Sequence, residues 1–214
     1  MDADADDEAP MPLNGPRLVE FHFDVGSPNA YFVHKVLPGI AERTGATLRY
    51  VPVLLGGIFK ATHNRSPFEA FAGIRNKLAY ERLETARFIA RHGLTDFQMN
   101  PFFPVNTLML MRGAVAMDKE GRLGPYVEAA FHHMWVEPKK MDDPAVFRTA
   151  MDASGLDGAA LLEAAQAPDV KAGLIANTEA SVGRGAFGVP TFFIGREMYF
   201  GKDRLRDVAE ALAA

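Results

Sequence analysis

The triplet Gly26-Ser27-Pro28 follows the first apolar run of the chain, and its residue types suit one kind of chemistry, the holding of an anion or a thiolate. Ser is a favoured helix N-cap, and Pro fits the first helical position because its missing N–H would be unbonded there anyway. A strand running into Ser27 and a helix leaving from Pro28 therefore aim a hydroxyl and several free backbone N–H groups at one spot. The same residues also read as an ordinary helix start, and alone they do not decide between the two. Late in the chain Val189-Pro190 precedes a strand-like run, where a proline suggests a cis bond that exposes the Val189 backbone. Cysteine is absent from all 214 residues. That excludes structural disulfides, thiolate zinc sites and any dithiol redox cycle carried out by the protein itself.

The elements that must position these groups follow from hydrophobic periodicity. In RLVEFHFDV, residues 17–25, Val19, Phe21, Phe23 and Val25 alternate as in a strand. The helix from Pro28 carries Tyr31, Phe32 and Val36, with a kink or break expected at Pro38-Gly39 and a stop near Gly45. A second strand is expected from about Thr47 to Leu55, which is rich in Val, Leu and Tyr. From Pro67 to about Arg184 the pattern is helical. Ala79, Leu83, Ala86 and Ala90 form one apolar stripe ended by Gly93, and Val127, Ala130, Phe131, Met134 and Trp135 form another behind Pro125. Asp143-Pro144 opens a further helix that Gly155 closes. Pro190–Ile194 reads as a strand, Gly195-Arg196 as a hairpin turn into Met198-Tyr199-Phe200, and a last helix from about Asp203 carries Leu205, Val208, Ala209 and Leu212. The order is strand, helix, strand, helical block, strand, strand, helix. It predicts an α/β chain divided into a tail at 1–16, a two-part domain at 17–66 and 185–214, and a helical insertion at 67–184.

Composition narrows the function. The net charge is −4, so no basic field exists to neutralise a nucleic-acid backbone. Hydrophobic residues at 48% and charged residues at 23% are ordinary globular usage and argue against disorder or a fibrous repeat. No stretch approaches the roughly 18 apolar residues a membrane helix needs, and the acidic start has neither the basic nor the apolar region of a secretory signal. A cytoplasmic protein with no membrane or nucleic-acid partner is expected. His132 and His133 lie off the apolar stripe of their helix and, being adjacent, do not share a face, so no metal site is expected. Gly56-Gly57 lacks the Lys-Ser/Thr of a phosphate loop, and no G-x-G-x-x-G follows a strand. Met109 and Met111 read as core or pocket lining.

Five separated segments, FDVGSPNAYF, PVLLGGIFKATHNRSP, FPVNTLMLMR, FGVPTFFIG and YFGKDRL, together resemble the 2-hydroxychromene-2-carboxylate isomerase family. That family lies on the DsbA-like branch of the thioredoxin superfamily, close to kappa-class glutathione transferases, and the resemblance runs from about residue 18 to 212. It implies a thioredoxin-like fold with a large all-helical insertion, and glutathione as cofactor. Ser27 would be the catalytic residue, its hydroxyl bonding the glutathione sulfur. Val189 would pair its backbone with the cysteinyl part, and Phe200, Gly201, Lys202 and Asp203 would hold the γ-glutamyl end, with the Asp203 carboxylate meeting the α-ammonium. Asp203 also reads as the N-cap of the final helix.

The resemblance further implies that Lys60 faces the carboxylate of an aromatic keto acid, with Asn64 and Asn106 in adjoining polar motifs, and that the protein is a homodimer. Two positions depart from the family pattern. Thr107 stands where the naphthalene-pathway enzymes place Tyr, and His63 where Gly is common; both touch the aromatic-substrate pocket. A kappa-like transferase acting on other electrophiles and a non-catalytic binding module on the same fold are the alternatives, whereas a thiol–disulfide oxidoreductase needs cysteines that are not there.

Overall fold

The computed structural model describes residues 17–214, so the tail expected at 1–16 lies outside the described residues. Strands β1 (Leu18–Phe23), β2 (Thr47–Pro52), β3 (Thr191–Ile194) and β4 (Glu197–Phe200) form one sheet in the order β2-β1-β3-β4. β1 pairs parallel to β2 and antiparallel to β3, and β3 pairs antiparallel to β4. The alternation read from the sequence has the expected consequence: Val19, Phe21, Phe23 and Val25 are fully buried. Phe21 sits between Tyr50 and Phe192 in register, with ring centroids 5.2 and 5.9 Å away. Burying each such side chain contributes roughly 1.5–3 kcal/mol, so this central strand is held firmly up to the point where Ser27 follows.

Helix α1 (Pro28–Thr44) packs beside the sheet and ends at Gly45, whose φ of 67° lets its N–H reach the Ala41 and Glu42 carbonyls. The break expected at Pro38 does not occur, and one continuous helix contains it. Proline forfeits a single backbone bond, while Phe32, Val33 and Leu37 before it and Ile40 and Ala41 after it are all buried.

The second strand stops at Pro52 rather than Leu55, and helix α2 (Leu55–Thr62) begins there. Two tertiary bonds set that boundary. The Leu54 N–H donates to Thr178 Oγ1 at 3.0 Å and the Leu55 N–H to Asp24 Oδ2 at 2.8 Å. Gly57 permits the approach, since a Cβ there would lie 3.2 Å from the Thr178 methyl.

The intervening chain holds α3 (Pro67–Ala70), α4 (Lys77–His92), α5 (Leu108–Lys119), α6 (Leu123–Trp135), α7 (Pro144–Ala153), α8 (Gly158–Ala164) and α9 (Pro168–Gly183). Asp143 caps α7, accepting from the Ala145 and Val146 N–H groups. The α6 stripe is buried as expected, Phe131, Met134 and Trp135 completely. Helix α4 is rotated from expectation: Ala79, Leu83, Ala86 and Ala90 face outward, and Phe88 is its buried residue, with its ring 5.6 Å from that of Phe32. An alanine stripe offers little apolar area, and one phenylalanine outweighs it. After β4, a 3-10 turn (Lys202–Arg204) leads into α10 (Leu205–Ala213), which buries Leu205, Val208 and Leu212. Among the described residues no helix is long and apolar enough to cross a membrane.

Candidate active site

Ser27 caps α1 with extended backbone angles, φ −94° and ψ 118°, and is 6% exposed. Its Oγ accepts from the Ala30 N–H at 3.2 Å, which turns the hydroxyl proton away from the helix and towards the Val189 carbonyl, 3.5 Å off. The donors of the first turn are accounted for almost completely. The Ser27 N–H bonds the Asp24 carbonyl at 3.1 Å, Pro28 has no N–H, and the Tyr31 N–H bonds the Ser27 carbonyl. Asn29 alone keeps an N–H without a partner among the described residues. A thiolate at this end would meet one hydroxyl, one free amide and the positive end of the helix.

The Val189-Pro190 bond is cis, and the Val189 carbonyl lies across from Ser27. The Gly201 N–H donates to the Pro190 carbonyl at 2.9 Å, which brings the end of β4 and the Lys202–Arg204 turn alongside. Gly201 adopts φ 92°, open to glycine and strained for other residues. The Phe200 ring is 39% exposed and lies 4.4 Å from that of Phe187. Lys202 is buried, with its ammonium 5.2 Å over Phe88 and 2.7 Å from Asp203 Oδ1, while the Asp203 side chain is mostly exposed. The N-cap role read for Asp203 is not what the structure has, because the 3-10 turn precedes α10 and Arg204 occupies the cap without a side-chain bond.

Asn64 and Asn106 each hold a different segment of the chain. Asn64 Nδ2 donates to the Phe187 carbonyl at 2.8 Å, clipping the loop after α2 onto the segment that leads to Val189. Asn106 Oδ1 accepts from the Leu108 N–H at 3.1 Å and so anchors the start of α5. Lys60 lies exposed near the end of α2 and makes no ion pair among the described residues. His63 closes that helix with φ 55°, which explains why glycine is at home in this position.

Asp24, to which the sequence alone assigns no role, sits beneath the Ser27 turn. Its side chain is completely buried and accepts three hydrogen bonds: from the Gly26 N–H at 2.9 Å on Oδ1, and from the Leu55 N–H at 2.8 Å and the Thr107 hydroxyl at 3.0 Å on Oδ2. Burial pushes this carboxyl above the usual range, and the three donors act against that. The next residue is held as well. The Val25 carbonyl accepts from Trp135 Nε1 at 2.8 Å, and its N–H lies 3.4 Å from Met111 Sδ. An acid inside the otherwise buried run FHFDV was the available signal, since such a group must be paired.

His133 is buried, not turned off the apolar side as expected, and both ring nitrogens are engaged, Nε2 with Ser154 Oγ at 2.9 Å and Nδ1 with the Lys139 ammonium at 2.8 Å. His132, His133 and Glu137 do cluster, but Lys139 also reaches Glu137 at 3.1 Å, so a cation already sits among these ligands.

A sheet ordered β2-β1-β3-β4, a serine at the first helix start and a cis-proline segment facing it define a thioredoxin-fold protein without redox cysteines. The DSBA-like thioredoxin domain family matches residues 18–213, and the chain belongs to it. It is 27% identical over 190 residues to a 2-hydroxychromene-2-carboxylate isomerase of Pseudomonas putida, covering 88% of this chain and 90% of that one. Against glutathione S-transferase kappa 1 of Homo sapiens it is 26% identical over 215 residues, 92% and 91% of the two chains. A solved structure of a 2-hydroxychromene-2-carboxylate isomerase superposes with a TM-score of 0.74 at 27% identity over 91% of this chain and 94% of that one. The relatives are thus named as isomerases and glutathione transferases.

Proposed function

We propose that this chain is a glutathione-dependent isomerase acting on an α,β-unsaturated aromatic keto acid and its ring-closed hemiketal. The observation that carries the reading is the buried Ser27 hydroxyl at the α1 N-terminus, held by Ala30 with its proton aimed at the Val189 side, in a chain with no cysteine. The sulfur nucleophile must then come from a small molecule. Glutathione thiolate adds to the conjugated carbon, a C–S bond forms, and the alkene electrons move onto the carbonyl oxygen as an enolate. Rotation about the new single bond follows. The enolate then re-forms the carbonyl and alkene, and the C–S bond breaks to return the thiolate. Ser27 and the free amide of Asn29 raise the thiolate fraction, and Lys60 meets the substrate carboxylate. Val189 pairs with the cysteinyl backbone, and Phe200, Gly201, Lys202 and Asp203 hold the γ-glutamyl end. Asn64 and Asn106 border the substrate.

Ser27→Ala keeps the backbone of the helix start but removes the hydroxyl, both as donor and as the acceptor that caps the Ala30 N–H, and turnover should fall by about 10²–10³-fold. Glutathione affinity should change less and the bound thiol's pKa should rise, read by thiolate absorbance. Wild-type turnover with an unshifted thiol pKa would reduce Ser27 to a helix cap and end this reading.

A second reading, a kappa-like transferase, is favoured by the match to the human kappa enzyme. Conjugation of chloro-dinitrobenzene assayed beside isomerisation separates the two. A binding module would show no glutathione-dependent turnover in either assay. Failure of glutathione to raise the melting temperature would count against both enzymatic readings. The protein is further proposed to work in the cytoplasm as a homodimer, which sedimentation at working concentration tests.

A further inference from the structure

The three donors to Asp24 come from three separate segments. Gly26 belongs to the turn carrying Ser27, Leu55 is the first residue of α2, and Thr107 lies beside Asn106 before α5. Lys60 lies on α2, and Asn64 follows its end. No other side chain bonds more than one of these segments to the Ser27 turn among the described residues. Within the turn, Asp24 acts twice. Its Oδ1 takes the Gly26 N–H and its main-chain carbonyl takes the Ser27 N–H, so the peptide units on both sides of Gly26 are fixed. Packing reinforces this, because a Cβ on Gly26 would fall 2.8 Å from the Thr107 methyl and 3.3 Å from Asp24 Oδ1. Thr107 therefore contacts the turn through its methyl and bonds Asp24 through its hydroxyl.

We propose that Asp24, with Thr107 as its side-chain donor, is the positioning residue of the site, one carboxylate fixing the Ser27 hydroxyl relative to the two loops that border the substrate. The proposal rests on the glutathione reading for its catalytic consequence, but its geometric content does not. Three donors converging on two oxygens match a carboxylate and do not match an amide, which has one acceptor atom and would press its NH2 against the Gly26 N–H in one orientation and against the Leu55 N–H in the other. Asp24→Asn should therefore misplace the turn rather than simply neutralise it. Thr107→Val removes the donor and keeps the methyl against Gly26, whereas Thr107→Ser keeps the donor and gives up the methyl, so the pair separates the hydrogen bond from the packing.

The test compares these three variants with the wild type in glutathione-dependent turnover, split into kcat and KM for glutathione, and in amide hydrogen exchange at Gly26 and Leu55. The expected result is a fall in kcat of about 10²-fold for Asp24→Asn, the scale of a displaced reacting group, and of about tenfold for Thr107→Val, the scale of one lost hydrogen bond. KM should stay within about threefold, because the tripeptide is held at Val189 and Asp203. Thr107→Ser should recover most of the rate. Exchange at both amides should accelerate in Asp24→Asn and stay slow in Thr107→Ser. Wild-type kcat in both Asp24→Asn and Thr107→Val, or equal losses in Thr107→Val and Thr107→Ser, would overturn the proposal. If Asp24→Asn does not fold, the Thr107 pair decides. If the wild type itself shows no glutathione-dependent turnover, the functional reading fails, and unchanged exchange in Thr107→Val would then sink the positioning claim independently.

Discussion

His22 gives the fold a calculable sensitivity to acid. It lies on β1 and is 3% exposed, with Nδ1 3.0 Å from Ser181 Oγ and its ring edge-on to Phe193 at 4.8 Å. Nε2 is buried with no hydrogen-bond partner. Protonation would place a second N–H and a charge where no acceptor waits, so burial lowers the pKa from 6.5 to about 4, with Glu20 opposing and Arg184 and Arg49 adding to the shift. In the unfolded chain the imidazole returns to about 6.5. Between those values the unfolded state binds more protons than the folded one, so stability rises with pH through the window and is lost as pH falls through it. The gap is worth about 3 kcal/mol when fully developed, of which about 2 kcal/mol is already lost at pH 5 relative to pH 8. His22→Gln cannot titrate. His133, whose pKa burial also lowers to about 4, remains in both proteins and cancels. Urea unfolding of wild type and variant from pH 8 to pH 5 should therefore show the wild type losing about 2 kcal/mol more than the variant. A stability difference that stays constant over that range would refute the argument.

Two further substitutions probe the site from opposite sides. Trp135→Phe leaves the buried Val25 carbonyl without its 2.8 Å donor and opens space in the core, and should cost about 2–4 kcal/mol, read as a lower urea midpoint at unchanged m-value. Asp203→Ala removes the exposed carboxylate assigned to the α-ammonium, and should raise KM for glutathione about tenfold with kcat nearly unchanged, as initial-rate kinetics would show.

What the sequence reveals about this molecule is what its patterns encode locally. The alternation of Val19, Phe21, Phe23 and Val25, the Ser27-Pro28 helix start, the α6 stripe and the Asp143 cap all depend on neighbours within a few positions, and all are found in the structure. The misread features depend on distant partners. Leu55 looks like the end of a strand because β-propensity continues through VPVLL, yet its N–H bonds a carboxylate 31 residues earlier. Thr107 and Asp24 are 83 residues apart, and nothing near either one announces the bond. On α4, period alone could not rank four small or exposed residues against Phe88, whose burial is decided by Phe32 on another helix. Asp203 fails as a cap because a single 3-10 turn moves the cap on to Arg204.

The same contrast explains what the helical block does for the site. β1 ends at Phe23, paired in register with Pro52, and β3 reaches only as far as His22, so residues 24–26 run past the sheet on both sides. Their backbone and side-chain polar groups are buried or nearly so, and buried groups of this kind need partners. The sheet cannot supply enough of them. Thr107 ahead of α5, Met111 on α5 and Trp135 on α6 supply a hydroxyl, a thioether and an indole N–H to Asp24 and Val25. The sheet strand aims the chain at the start of α1, and the helices fix the turn that follows it. A thioredoxin-type sheet stripped of these three side chains would still present Ser27 at a helix start, but with the turn beneath it bonded through the Gly26, Ser27 and Leu55 N–H groups and the sheet's last rung alone. Positioning of the hydroxyl is thus a property of the packed helices as much as of the motif that contains it.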